Sequence, residues 1–242
     1  MRVVLVTGGN RGIGLATARG LARHGAAVVL AARDAARLEA AAAELADAGD
    51  VARDRVLAVP ADVSDEAHVA ALFARTMERF GRLDVLVNNA GAFDGGPIEE
   101  LTLEAWEHVM AVNLRGPFLC TRAAFPIMKR QGGGRIVNIG SIAGQRVRPR
   151  SAPYSASKHG LWGLTQVTAL EGREHGIVCC CLEPGNTRND ESAPLGPPEE
   201  REPAMSVDEI AEVAVLMATL PAHVNMLRAT VIPARQPYLG RG

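Results

Sequence analysis

A tyrosine and a lysine four positions apart are the residues of this sequence with the clearest potential for chemistry. Tyr154 and Lys158 enclose the run Tyr-Ser-Ala-Ser-Lys, and residues four apart in a helix leave the same face as neighbours. A free tyrosine has a pKa of about 10 and exchanges protons poorly at neutral pH, but an adjacent ammonium stabilises the phenolate and lowers that pKa. The pair could therefore act as a general acid–base device, although an ordinary solvated surface contact has the same spacing.

Ser141 adds a hydroxyl group upstream of this pair, just after an apolar run. A hydroxyl at such a place either ends a strand or hydrogen-bonds the oxygen of a substrate and steadies its developing charge. The chain has only two tyrosines, so a chance pairing of tyrosine with lysine is less expected than in an aromatic-rich sequence. We interpret Ser141, Tyr154 and Lys158 as one candidate site for proton transfer.

Short apolar runs alternate with longer alanine-rich stretches, and these are the elements that must position the site. The runs lack polar alternation, as expected of parallel strands covered by helices on both faces. We predict one α/β domain over residues 1–242, with a seven-stranded parallel sheet between two layers of helices. The predicted strands are Val3–Val6, Ala27–Ala31, Val56–Val59, Val85–Val87, Arg135–Ile139, Ile177–Leu182 and Ala229–Ile232. The predicted helices are roughly Gly12–His24, Ala35–Ala48, Glu66–Phe80, Leu103–Arg130, Pro153–His175 and Val207–Leu220.

Two local signals refine this outline. Ser64 and Ser206 precede acidic first turns, so both are predicted to cap the helices that follow them. The stretch 188–205 is rich in proline and glutamate, which excludes a regular element. We predict that it forms a mobile flap beside a site.

The bulk properties exclude several classes of function. A formal net charge of −1 argues against nucleic acid or an anionic membrane surface as the main partner. The apolar runs are too short for a membrane span, and the N-terminal run is too brief for a signal peptide. Cys120 and Cys179–Cys181 form no C-x-x-C pair, and the histidines form no metal-binding pattern. We therefore expect a cytoplasmic protein that binds no metal, membrane or nucleic acid.

A glycine-rich run, Thr-Gly-Gly-Asn-Arg-Gly-Ile-Gly, follows the first predicted strand and opens the first helix. Glycines there allow a tight turn and a close backbone approach to a pyrophosphate, which a helix N-terminus attracts. A glycine-rich turn can also be purely structural, but its place between strand and helix favours a dinucleotide site. The candidate cofactor contacts in this loop are Gly8, Asn10, Arg11, Gly12, Ile13 and Gly14.

The residues after the second strand indicate which dinucleotide binds. Proteins that bind NAD carry an acid there for the ribose 2′-hydroxyl, whereas this chain has Ala32 followed by Arg33. Arg11 in the glycine loop could reach the same group. Two guanidinium groups favour a 2′-phosphate, and hence NADP(H) over NAD(H). Asp34 would supply an acid after a one-residue shift, but we interpret it as the cap of the next helix.

Over nearly its whole length the chain resembles the short-chain dehydrogenase/reductase family, in its single-domain branch. The matching motifs are the glycine loop, Asp62-Val63, Asn88-Asn89-Ala90-Gly91, and Pro184-Gly185 followed by Thr187. The resemblance implies a Rossmann-type, doubly wound sheet. The family's four catalytic positions correspond to Asn113, Ser141, Tyr154 and Lys158.

The resemblance also implies further contacts with the cofactor. Asp62 and Val63 would lie against adenine, and the pair before Ala90 and Gly91 would shape the floor of the pocket. Lys158 would hold the nicotinamide ribose beside Tyr154. Pro184, Gly185 and Thr187 would hold the nicotinamide amide.

The resemblance has one further implication, and the chain departs from it at two positions. It implies that the helix kinks at Asn113 and frees a backbone carbonyl for a water linked to Lys158. Asn186 stands between Pro-Gly and Thr187, where the family has an apolar residue. Glu183 before the proline is also unusual, and no role follows for it from the sequence.

The motifs together predict an NADP(H)-dependent oxidoreductase that interconverts a ketone or aldehyde and an alcohol by hydride transfer, with Tyr154 as general acid–base. One alternative is a non-catalytic NADP sensor or scaffold, against which the complete set of catalytic residues argues. Another is a sugar-nucleotide epimerase or dehydratase, which also uses Tyr-x-x-x-Lys but needs a larger C-terminal domain than this chain offers.

The substrate and the assembly are less constrained. Arg146, Arg148 and Arg150 could bind an acidic substrate or pair with glutamates of the flap. The glutamates concerned are Glu191, Glu199, Glu200 and Glu202. The resemblance implies a homodimer or homotetramer formed through the helices near 103–130 and 153–175. The C-terminal tail, residues 237–242, could add a contact to a neighbouring subunit.

Overall fold

A computed structural model describes residues 1–188 and 202–238 of the chain. The strands in this part are β1 (Val3–Thr7), β2 (Ala27–Ala32), β3 (Val56–Pro60), β4 (Val85–Asn88), β5 (Gly134–Ile139), β6 (Ile177–Pro184) and β7 (Arg228–Val231). These seven strands of the described residues form one parallel sheet in the order β3-β2-β1-β4-β5-β6-β7. The predicted α/β fold is confirmed.

The helices follow the predicted pattern with one exception. They are α1 (Gly12–Arg23), α2 (Ala35–Asp47), α3 (Glu66–Phe80), α4 (Leu103–Met110), α5 (Gly116–Arg130), α6 (Ala152–Gly172) and α7 (Val207–Thr219). The long helix predicted over Leu103–Arg130 is divided into α4 and α5 by a π-helical turn, Ala111–Arg115. Such a turn inserts an extra residue into the helical ladder, which apolar periodicity does not reveal. No helix in the described residues combines the length and apolar character needed to cross a membrane.

One of the two predicted helix caps is wrong. Ser206 caps α7 as expected, and Glu209 returns the bond in a capping box. At α3, however, the cap is Asp65, whose carboxylate accepts a backbone N–H of the first turn at 2.9 Å. Ser64 instead donates its hydroxyl to Asp62 at 2.7 Å. A carboxylate is the stronger acceptor at a helix N-terminus, which explains the choice of Asp65.

The sheet separates two apolar layers. On β1, Val4 and Val6 face the layer built with α1, α2 and α7, whereas Val3 and Leu5 face the layer built with α3 and α5. Successive side chains of a strand point to opposite faces, so burial of both faces requires the continuous apolar runs seen in the sequence. Because β1 and β4 are neighbours, the winding reverses between them, and a crevice opens at their carboxyl ends.

An acidic side chain is buried near the end of β6, where Glu183 is only 1% exposed. Its carboxylate accepts two bonds of 2.8 Å from Arg228 on β7, one of 3.1 Å from Thr230, and one from Gln145. The Arg228 guanidinium also lies 4.4 Å from the ring centre of Trp162 on α6. A buried carboxylate is tolerated only when it is paired and hydrogen-bonded in this way. This network explains the unusual glutamate before Pro184.

Arg228→Met is expected to lower the free energy of unfolding by on the order of 3 kcal/mol, because it leaves Glu183 buried without its charge partner. Arg122→Met is the matched control, since it removes an exposed pair with Glu66 and is expected to cost less than about 0.5 kcal/mol. Urea denaturation measures both losses. Equal losses would contradict the stabilising role of the Glu183–Arg228 pair.

Candidate active site

A cavity of about 740 Å³ opens at the carboxyl ends of the central strands, a size typical of ligand pockets. Ser141, Tyr154 and Lys158 line one end of it. The predicted cofactor residues also line it, with the exception of Gly14. Asn113 likewise lies outside the wall. The structure thus brings together residues that the sequence separates by more than half of the chain.

Gly14 lies behind the glycine loop and allows it to pack tightly. A Cβ atom at this position would be 2.3 Å from the carbonyl oxygen of Gly8, far closer than two such atoms can approach. Gly8 itself has a φ of +62°, which favours glycine. Gly14 therefore shapes the loop from behind, while Gly8 forms part of the cavity wall.

Thr7, which the sequence analysis did not single out, joins the glycine loop to the segment after β4. Its Oγ1 atom accepts hydrogen bonds from the backbone N–H groups of Asn89 (3.0 Å) and Ala90 (3.1 Å). The amide of Asn89 in turn donates to the carbonyls of Thr7 (2.9 Å) and Gly8 (3.1 Å). The carboxyl ends of the two central strands are therefore held at a fixed separation.

The N-terminus of α1 fits a bound anion. Its N-cap residue is Arg11, no side chain caps the helix, and its first turn contains no acid. The first backbone N–H groups of a helix carry partial positive charge and need an acceptor. Gly12 and Ile13 place this end of α1 on the cavity wall, so a pyrophosphate in the cavity could satisfy these groups.

Arginines gather at the far end of the cavity, beyond β2. Arg33 lines it, and so does Arg37 in the first turn of α2, which the sequence analysis missed. Asp34 accepts a bond of 3.0 Å from the backbone N–H of Arg37, so it caps α2 as interpreted. Burial would raise the pKa of Asp62, but hydrogen bonds from Ser64 and the nearby Arg33 outweigh it and lower that pKa. This end of the cavity therefore offers arginine cations beside the carboxylates of Asp34 and Asp62.

The reacting groups lie at the other end of the cavity. Lys158 is buried, and its Nζ atom donates to the carbonyl of Ile139 at 2.8 Å. The same atom lies 5.6 Å from the ring centre of Tyr154, so both residues share one face of α6. Ser141 follows β5, and its Oγ atom accepts from the backbone N–H of Ala143 at 3.1 Å. The hydroxyl hydrogen of Ser141 thus remains available to a substrate oxygen.

Phe93 forms an apolar wall beside the reacting groups, and sequence reasoning missed it. Its ring meets that of Tyr154 edge-to-face, with the centres 5.2 Å apart. The residue lines the cavity and is 70% exposed. A large apolar ring exposed beside a candidate acid–base group is a surface that a bound molecule can cover.

Asn113 positions its neighbours from within the π-helical turn. Its amide exchanges two hydrogen bonds with the backbone of Ala92, of 2.7 and 2.8 Å, and donates to the Ser157 hydroxyl at 3.2 Å. The side chain therefore holds the loop after β4 against α6. The structure has this π-helical turn at the place where the family resemblance implies a kink.

The described ends of the predicted flap are joined to the cavity mouth. Arg188 and Asn186 exchange backbone hydrogen bonds with Met205, of 2.8 and 2.9 Å. The amide of Asn186 donates to Glu202 at 2.7 Å, and Arg148 pairs with the same carboxylate at 3.3 Å. These contacts explain why a polar residue follows Pro-Gly here. Residues 189–201 lie outside the described part of the chain, so the flap over 188–205 stays a prediction.

Metal and thiol chemistry find no support in the described residues. There, no group of three histidine, cysteine, aspartate or glutamate side chains is arranged to hold a metal ion. Burial raises the pKa of Cys120 and Cys180 to about 12. These thiols stay protonated at neutral pH and are poor nucleophiles.

Comparison with known proteins places this geometry in a family. A family model described as short chain dehydrogenase matches residues 2–200. The chain belongs to the short-chain dehydrogenase family. A levodione reductase from Leifsonia aquatica is 37% identical over an alignment of 248 positions, which covers 96% of this chain and 92% of the relative. These findings confirm the predicted family and the oxidoreductase class.

Solved structures of other short-chain dehydrogenases have the same fold. An alcohol dehydrogenase from the archaeon Thermococcus sibiricus, complexed with 5-hydroxy-NADP, has a TM-score of 0.86 at 32% identity and covers 98% of this chain and 97% of its own. A metagenomic short-chain oxidoreductase in complex with NADP has a TM-score of 0.83 at 37% identity, with coverages of 96% and 97%. The doubly wound sheet is thus confirmed over nearly the whole chain.

Proposed function

We propose that this short-chain dehydrogenase uses NADP(H) to interconvert a neutral ketone or aldehyde and the corresponding alcohol. The observation that carries the proposal is one cavity with arginines and an open helix N-terminus at one end, and Ser141, Tyr154 and Lys158 at the other. An anionic dinucleotide placed along this cavity would bring its redox-active end to the reacting groups. The NADP and 5-hydroxy-NADP complexes of the two structural relatives support this choice of cofactor.

Different segments of the cavity wall would bind different parts of the dinucleotide. The glycine loop and the N-terminus of α1 would hold the pyrophosphate. Arg33, with Arg11 and Arg37, would hold the 2′-phosphate, because guanidinium groups bind phosphate oxygens in pairs. Adenine would lie against Asp62 and Val63. The floor of the pocket would be formed by Asn89, Ala90 and Gly91. The nicotinamide would be held by Pro184, Gly185 and Thr187.

The protein supplies a proton and an orientation, while the bound cofactor supplies a hydride equivalent. In reduction, the Tyr154 hydroxyl donates its proton to the substrate oxygen, and in oxidation the phenolate accepts it. Ser141 donates a hydrogen bond to the same oxygen with its hydroxyl hydrogen, which the bond accepted from the Ala143 N–H leaves available. The ammonium of Lys158, held by Ile139, stabilises the negative charge left on Tyr154.

Asn113 completes this proposed machinery through the backbone. The π-helical turn Ala111–Arg115 alters the regular carbonyl pairing of the helix, which is the arrangement needed for a carbonyl that binds water. A water between that carbonyl and Lys158 would relay the proton.

The distribution of charge favours a neutral substrate. Arg33, Arg37 and Asp62 line the far end of the cavity. At the reacting end, the apolar ring of Phe93 contacts Tyr154, and the charge there is that of Lys158, which the Ile139 carbonyl holds. Arg148 is paired with Glu202, and among the described residues none of the three arginines at 146, 148 and 150 lines the cavity. Of the two roles predicted for these arginines, pairing with the flap is therefore the one we adopt.

A homodimer or homotetramer stays a prediction, which light scattering can measure. Leu103 is 69% exposed and Phe118 is 44% exposed, and both line a shallow groove along α4 and α5. Apolar side chains exposed together in this way are typical of a face that a second copy covers.

Tyr154→Phe is expected to lower kcat by roughly 10²-fold or more, the usual contribution of a general acid. The substitution removes only the hydroxyl group that donates the proton. Binding of NADPH, followed by fluorescence titration, should remain within twofold of wild type. Stopped-flow loss of NADPH absorbance with a reducible ketone gives kcat. A phenylalanine variant with near-wild-type kcat would exclude Tyr154 as the acid.

Arg33→Ala is expected to raise KM for NADPH by about tenfold or more, since a charge-assisted hydrogen bond contributes about 1.5–3 kcal/mol. KM for NADH, which has no 2′-phosphate, should change by less than twofold and serves as the internal control. Steady-state kinetics with both cofactors make the comparison. A wild-type enzyme with the higher kcat/KM for NADH would refute the assigned preference.

Neutral ketones are expected to have at least about tenfold higher kcat/KM than analogues of the same size that carry a carboxylate, because burying an unpaired charge beside Phe93 is unfavourable. NADPH oxidation over a panel of matched pairs measures the ratio. Equal or greater activity with the carboxylates would refute the preference for a neutral substrate.

A further inference from the structure

The residues after β7 turn back onto the cavity of their own chain. Gln236 is buried, and its Oε1 atom accepts a hydrogen bond of 2.9 Å from the backbone N–H of Asn186. The same atom lies 2.3 Å from the place that a Cβ on Gly185 would occupy. A side chain at position 185 would therefore displace the amide end of Gln236. Because Gly185 lines the cavity beside Pro184, Gln236 supports the wall proposed to face the nicotinamide.

Tyr238 attaches the same tail to a second loop, the one between β5 and α6. Its hydroxyl donates to the Oε1 atom of Gln145 at 2.7 Å. The guanidinium of Arg146 lies 5.4 Å from its ring centre. Gln236 and Tyr238 are only two positions apart, so this short segment bridges the loop after β5 and the segment after β6.

Gln145 connects the tail to Ser141. Its side-chain nitrogen donates to the buried carboxylate of Glu183, while its oxygen accepts from Tyr238. Its backbone N–H donates to the carbonyl of Ile142 at 2.9 Å and so closes the short turn that begins at Ser141. Gln145 is thus held from both sides, and a shift of its side chain would be passed to Ser141 through this turn.

We propose that Tyr238 is a positioning residue, which acts through Gln145 to hold the Ser141 hydroxyl where the substrate oxygen binds. We call Gln145, Gln236 and Tyr238 together the brace. Gln236 attaches the brace to the segment after β6, and Glu183 holds the buried side of Gln145. Hydrogen-bond donors aimed at a reacting oxygen lose much of their effect when displaced by a fraction of an ångström. The proposal rests on the proposed function for its kinetic consequence, but the brace itself is a property of the fold.

Tyr238→Phe tests the brace, because it keeps the ring beside Arg146 and removes only the hydroxyl donor. The kcat/KM for a ketone that the wild type reduces is expected to fall about 3- to 10-fold, the equivalent of one hydrogen bond. Affinity for NADPH should stay within twofold. Arg235→Ala, at an exposed position of the same tail, is the matched control and should behave as wild type.

A double-mutant cycle tests the route through Gln145. In a Gln145→Leu background, Tyr238→Phe should lower kcat/KM no further, since its partner is already absent. Circular dichroism and NADPH binding establish that the variants are folded. Additive losses would overturn the proposed route, and unchanged kcat/KM in Tyr238→Phe would overturn the positioning role.

Hydrogen exchange provides a readout that does not depend on turnover. In Tyr238→Phe, the backbone amides of residues 143–145 should exchange faster than in the wild type, while those of the glycine loop should not. If no variant and no wild-type sample oxidises NADPH with any carbonyl, the proposed function fails while the faster exchange still supports the brace. Unaltered exchange in this turn would overturn the brace itself.

Discussion

The hydrogen bonds of Thr7 at the reversal of the sheet are the constraint on which the rest of the site depends. Its hydroxyl holds the backbone of Asn89 and Ala90, and the Asn89 amide holds Gly8 in return. These bonds join β1 to β4 at the place where the winding changes direction and the crevice opens. Both the glycine loop and the pocket floor therefore have positions set by one small network.

Charge is distributed along the cavity according to what each end would bind. Arg33 and Arg37 are exposed at the end of the cavity beyond β2, where the proposed function places a phosphate. At the reacting end, Lys158 is buried and held by a backbone carbonyl, and Phe93 covers one side of Tyr154. A less polar environment strengthens each electrostatic interaction around the substrate oxygen. The same environment disfavours a second, unpaired charge, which is the physical basis of the proposed neutral substrate.

The buried pair of Glu183 and Arg228 links stability to the geometry of the site. Burying a carboxylate is unfavourable unless several donors surround it, and here the donors come from β7 and from the loop after β5. The carboxylate thereby holds three separate segments in register next to Pro184. Gln145 belongs to this network and also receives the bond from Tyr238, so the core and the C-terminal tail meet at one side chain. A substitution here would disturb both the fold and the proposed reaction.

Local sequence determined the strands, most helices and the spacing of Tyr154 and Lys158, because apolar runs and one-turn spacing depend on near neighbours in the chain. The glycine loop was predictable for the same reason, as its chemistry lies within a single strand-turn-helix unit. Only the tertiary structure decided that Phe93 meets Tyr154, that Glu183 pairs with a strand from the end of the chain, and that Gln236 lies against the cavity wall. These contacts join segments dozens of residues apart, and no local pattern records which distant partner fills a given space.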